Sequence, residues 1–90
     1  MNASTQILKL PLQNEGSKAI LLIVEPLCES FLIQPGQHIV VHAITAEVSS
    51  EIENFTIAPN DAGLTIYPPG SLACFIDSYV TSNGVRLVPN

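Results

Sequence analysis

Tryptophan is absent from this chain and charge is scarce: only 12% of its 90 residues are Asp, Glu, Lys or Arg. Three basic residues stand against eight acidic ones, for a net charge of −5. So few cations exclude nucleic acid and anionic membrane as partners, because phosphate would be repelled. The five glycines all fall at turns, so there is no glycine-rich run to cradle a phosphate. The longest apolar run, residues 19–24, is far short of the ~20 residues a membrane-spanning helix needs. Met1-Asn2-Ala3-Ser4-Thr5-Gln6 carries no positive charge and leads into no long apolar stretch, so no export signal is expected and the expected compartment is the cytoplasm. Cys28 and Cys74 allow at most one bridge. In a reducing compartment both are expected as thiols, with no disulfide.

What is present is apolar material. A hydrophobic content of 47% excludes disorder, and the length fits a single domain over residues 1–90. No segment holds the three-and-four spacing of an amphipathic helix. Short β-branched and aliphatic runs are instead punctuated by Pro, Gly, Asn and Asp, which is the pattern of strands. Leu8, Leu10 and Leu12 alternate with Lys9 and Pro11; Pro11 places this strand at a sheet edge, since it cannot donate to a ladder. Residues 19–24 are apolar on both alternating faces, which predicts a central strand with the core on one side and a loop or partner on the other. A short strand over residues 30–34 leads into the turn Gln34-Pro35-Gly36-Gln37. Residues 37–46 form the clearest strand, with Ile39, Val41 and Ala43 on one side and His38, Val40, His42 and Ile44 on the other. A strand over 51–58 changes phase between Ile52 and Phe55, which predicts a bulge. Strands over 64–67 and 71–77 follow. Asn83-Gly84 predicts a type I′ hairpin with Ser82 opposite Val85, Thr81 opposite Arg86 and Val80 opposite Leu87.

Few residues carry chemistry. His38 and His42 share a strand face, but at ~3.3 Å per residue their Cα atoms lie roughly 13 Å apart, too far to chelate one metal together. Glu47, Glu51 and Glu53 form an acidic patch expected to keep the chain soluble. Asn60-Asp61-Ala62-Gly63 lacks the further carboxylates of a calcium loop and reads as a turn. Cys28 stands between Glu25 and Glu29, carboxylates rather than the cationic neighbours a reactive thiol needs, so it is not expected to act as a nucleophile. Tyr67 and Tyr79 sit where strand-end aromatics cap a core. No metal, cofactor or catalytic residue is expected.

Two resemblances add to this reading. Gly36, followed after five residues by His42 and then Ala43, Ile44 and Glu47, is similar to the first motif of the cupin family. In that motif a second histidine stands where this chain has Ile44, and the glutamate comes one position later. Pro68-Pro69-Gly70 resembles the second cupin motif, with Ala73 in the histidine position, Asp77 in the asparagine position and Gly63 for the preceding glycine. This resemblance implies a barrel whose metal histidines are lost. The chain more broadly resembles a group of small bacterial β domains without assigned activity, through Leu22-Ile23-Val24-Glu25-Pro26, Phe31-Leu32-Ile33-Gln34-Pro35-Gly36 and Gly63-Leu64-Thr65-Ile66-Tyr67. That likeness implies a compact β domain and transfers no catalytic residue.

The expected fold is all-β, a small sandwich of seven or eight mostly antiparallel strands, with a cupin-like barrel as the alternative. The expected function is a non-catalytic binding or assembly module, with a second copy of the chain, another protein or a small molecule as candidate partners. The apolar faces of residues 19–24, together with Ile7 and Leu27, motivate the second copy. The alternative function is a degenerate cupin-like domain, binding a small molecule or acting as a metal-dependent enzyme, with His42, Glu47, Tyr67 and Asp77 converging in one cavity.

Overall fold

A computed structural model describes residues 5–46, 54–70 and 74–90. Eight strands follow one another: β1 (Thr5–Gln13), β2 (Ile20–Val24), β3 (Glu29–Ile33), β4 (His38–Ala46), β5 (Thr56–Pro59), β6 (Gly63–Tyr67), β7 (Phe75–Ser82) and β8 (Val85–Arg86). They form two four-stranded sheets. Sheet I has the order β1-β4-β7-β8 and sheet II the order β3-β2-β6-β5. All pairings are antiparallel except β2 with β6. The architecture is a small all-β sandwich, and among the described residues the sheets do not join into the closed barrel of the alternative expectation.

Residue alternation explains the two layers. Along β4, Ile39, Val41, Ala43 and Thr45 are buried, while Val40, His42 and Ile44 are only partly covered. Along β1, Leu8, Leu10 and Leu12 turn inward and Ile7, Lys9 and Pro11 are exposed. β1 lies at the edge that Pro11 requires. In sheet II, Leu22 and Val24 of β2, Phe31 and Ile33 of β3 and Ile66 of β6 point into the shared core. They meet Ile39, Val41 and Val80 of sheet I, with Leu10, Leu12, Phe55, Leu64 and Leu87 packed around them. Full burial of each such aliphatic side chain contributes ~1.5–3 kcal/mol.

Two connections fix the layers to each other. Asn14, buried just after β1, donates from Nδ2 to the carbonyls of Lys18 at 2.9 Å and Ile33 at 3.0 Å, and its Oδ1 accepts the Gly16 N–H. Its side chain thus ties the crossover out of sheet I to the end of β3 in sheet II. At the opposite edge, residues 87–90 leave β8. The Leu87 N–H donates to the Val80 carbonyl and the Asn90 N–H to the Ser30 carbonyl of β3, which bridges the two sheets.

The parallel β2–β6 pair brings Gly63 against Leu21. A Cβ at Gly63 would run into the Leu21 carbonyl oxygen and come within 2.7 Å of its nitrogen. The Leu21 N–H donates to the Ala62 carbonyl at this point. Asn60 shapes the turn before it, with Oδ1 accepting the N–H groups of both Ala62 and Gly63 at 2.9 Å. The turn chemistry predicted for Asn60-Asp61-Ala62-Gly63 is what the structure uses.

Three sequence expectations need correction. The strand predicted over 51–58 is β5, Thr56–Pro59; Asn54 and Phe55 precede it without strand structure, and residues 51–53, with the predicted bulge, lie outside the described residues. The described register shift falls instead between Ile44 and Thr45, where β4 meets β7. The strand predicted over 71–77 and the first strand of the final hairpin are one element, β7, with residues 71–73 outside the description. Asp77 and Ser78 continue the strand: Asp77 Oδ1 accepts its neighbour's N–H at 2.8 Å and Ser78 is small enough to point inward. Lastly, Tyr79 does not cap a strand end. It stands in the middle of β7, on the outer face of sheet I.

Candidate functional site

The register of sheet I sets the geometry of its outer face. His42 pairs with Lys9 of β1 on one side and with Tyr79 of β7 on the other. These positions alternate with the buried Val41, Ala43, Ser78 and Val80, so their side chains project away from the core. The His42 imidazole stacks on the Tyr79 ring, with centroids 4.4 Å apart and planes 7° from parallel. Arg86, on the neighbouring β8, holds its guanidinium carbon 5.0 Å from the centroid of the Tyr79 ring, a cation–π distance. Lys9, His42, Tyr79 and Arg86 therefore make a row that draws on all four strands.

His42 is held within this row. Its Nε2 lies 2.9 Å from Thr81 Oγ1, while Nδ1 is buried with no hydrogen-bond partner. Burial first, and the Lys9 ammonium second, lower the pKa of the imidazole below its ordinary value. The ring is consequently neutral at pH 7, which suits a group with one buried, unpartnered nitrogen. The Thr81–His42 contact has the reach of a nucleophile and its base. With Nδ1 unpartnered, however, no carboxylate among the described residues orients the imidazole as a catalytic triad requires. Among the described residues, no group of three His, Cys, Asp or Glu side chains could hold a metal ion.

The four residues expected to share a cavity are distributed otherwise. His42 and Asp77 lie on the outer face of sheet I, with Asp77 opposite Ile44, the residue two along from His42. Tyr67 belongs to β6 and points away from the core on the outer face of sheet II, the opposite side of the sandwich. Glu47 lies outside the described residues, as do Glu51 and Glu53. His38 shares the outer face of β4 with His42 and is exposed. Lys9, Thr81, Tyr79 and Arg86 were not singled out by the sequence as one cluster. The Asn83-Gly84 turn carries a partial signal, because it sets Thr81 opposite Arg86 and leaves Tyr79 on the same face as Thr81.

The outer face of sheet II has a different character. Its described residues are Ser30 and Leu32 of β3, Leu21 and Ile23 of β2, Gly63, Thr65 and Tyr67 of β6, and Thr56 and Ala58 of β5. None of these is charged. Leu32 is 50% exposed and Tyr67 43%, with Leu21 and Ile23 half-buried between their strands. Leu27 is also exposed, in the β2–β3 turn that holds the exposed Cys28. Ile7, by contrast, belongs to sheet I.

No helix of the described residues is long and apolar enough to cross a membrane. No family model matches the chain, and neither a curated protein nor a solved structure does.

Proposed function

We propose that the chain is a non-catalytic assembly module that pairs with a second copy of itself through the outer face of sheet II. The observation that carries this reading is the lack of charge among the described strand residues of that face, in a chain of net charge −5, with Glu25 the first charged position beyond the end of β2. Two such molecules repel each other at most orientations, and an uncharged apolar surface is where they meet at least cost. Leu21, Ile23, Leu32 and Tyr67 supply the apolar area, and a two-fold axis lets the same patch serve both copies. This gives the doubly apolar β2 its second cover: the core on one side and the partner copy on the other.

The exposed thiol of Cys28 suits a reducing compartment, so the proposal includes a cytoplasmic setting. Kinship with the small bacterial β domains belongs to the same proposal and rests on the Glu-Pro and Pro-Gly strand endings. Sedimentation equilibrium at high micromolar concentration tests the pairing. A dimer is expected for the native chain, and a monomer with an unchanged far-ultraviolet spectrum for Leu32→Glu combined with Tyr67→Glu. A native chain that sediments as a monomer overturns the reading.

A further inference from the structure

The outer face of sheet I is the inverse of the uncharged face of sheet II. Two of the three basic residues of the chain, Lys9 and Arg86, stand on it, while Lys18 lies in the turn before β2. Against these two, Asp77 is the one acidic side chain described there. The described side chains of this face thus sum to a net positive charge on a molecule of −5.

The aromatic pair between the two cations shapes what the face offers. Side chains stand roughly perpendicular to a sheet, so His42 and Tyr79 are slabs set on edge. His42 stacks on the tyrosine ring and Arg86 packs against it as well, so little ring face remains for a sugar or base to stack on. His42 does not present a free nitrogen either, since Nε2 meets Thr81 and Nδ1 is buried. What remains accessible is hydrogen-bond donors: the exposed Lys9 ammonium at one edge of the row and the exposed Arg86 guanidinium at the other, with the Tyr79 hydroxyl between. Packing against Tyr79 pre-orders Arg86 and lowers the entropy cost of binding a carboxylate through its planar fork.

Spacing selects the kind of anion. β1 and β8 are separated by β4 and β7, and Arg86 pairs with Thr81, two residues along from Tyr79, so at ~4.8 Å per strand and ~3.3 Å per residue the two cations are rooted roughly 16 Å apart. One phosphate is much smaller than this spacing. An extended polypeptide with carboxylates four residues apart spans ~13 Å and reaches both. We infer that the outer face of sheet I is a docking site for an acidic polypeptide segment of a partner protein, laid across the strands with one carboxylate at Lys9 and another at Arg86. This inference does not depend on the pairing through sheet II, which uses the opposite side of the sandwich.

The test is a nuclear magnetic resonance titration of the isotope-labelled full chain with the peptide acetyl-Glu-Ala-Ala-Ala-Glu-amide, beside its glutamine counterpart. Saturable shifts are expected at the amides of Lys9, His42, Tyr79 and Arg86 with the glutamate peptide and none with the glutamine peptide. Lys9→Gln and Arg86→Gln, both exposed and outside the core, should each weaken binding about fivefold, the loss of one surface charge pair. Free glutamate should bind far more weakly than the peptide. The inference is overturned by equal binding of the glutamine peptide, by shifts confined to sheet II, or by full affinity in the double variant. It is equally overturned if phosphatidylserine vesicles capture the chain where millimolar peptide produces no shift.

Discussion

Gly63 lies so close to Leu21 that the backbones of β6 and β2 leave no room for a methyl group between them. This contact sits at the start of the one parallel pairing among the described residues, where the two hairpins of sheet II join.

Gly63→Ala should therefore destabilise the fold by about 3 kcal/mol, the upper range for overpacking a close-fitted site. The obstacle is backbone rather than a flexible side chain, so relief requires moving β6 away from β2. Urea denaturation would measure this as a lowered midpoint. A loss below about 0.5 kcal/mol, the range of neutral surface changes, would mean that the strands separate with ease.

His42 gives the stability a pH dependence of known sign. Its folded pKa lies below that of the unfolded chain, with burial as the main cause and Lys9 as the second. The unfolded state then binds the proton more readily, so stability is full above the ordinary imidazole pKa of ~6.5 and falls as pH drops toward the folded value. Urea midpoints at pH 7.5 and 5.5 would show the native chain losing stability relative to His42→Phe, which keeps a ring on Tyr79 and cannot titrate. A constant difference between the two proteins at both pH values would contradict this assignment.

Asn14 and Ser78 are both buried polar residues, and their alanine variants should behave in opposite ways. Asn14 has its amide fully engaged, so Asn14→Ala removes its buried hydrogen bonds to the Lys18 and Ile33 carbonyls and should cost about 2–3 kcal/mol. The Ser78 hydroxyl is buried in the core with no partner. Ser78→Ala removes that penalty and should leave stability unchanged or raise it by up to about 1 kcal/mol. Thermal melts of the two variants would separate these outcomes.

Where one face of a strand is far more apolar than the other, the sequence read the structure well. β4 shows this in Ile39, Val41 and Ala43, and the edge position of β1 follows from Pro11 alone. The final hairpin was legible for a different reason. Asn83 and Gly84 adopt φ values of 52° and 79°, which a type I′ turn demands, and the turn then dictates the pairs Thr81–Arg86 and Ser82–Val85. Local pattern does not encode which distant strands become neighbours. Nothing near His42 announces that Tyr79 will lie beside it, so the row on sheet I became visible only with the β4–β7 register. For the same reason, His42 and Tyr67 could be imagined in one cavity although they face opposite ways.

That opposition has a consequence for any assembly of this molecule. A back-to-back pair hides the neutral layer of each copy, so both cationic layers look outward in contrary directions. Such a pair would be a two-headed connector, able to tether two separate acidic chains but unable to grip a single short one at both heads.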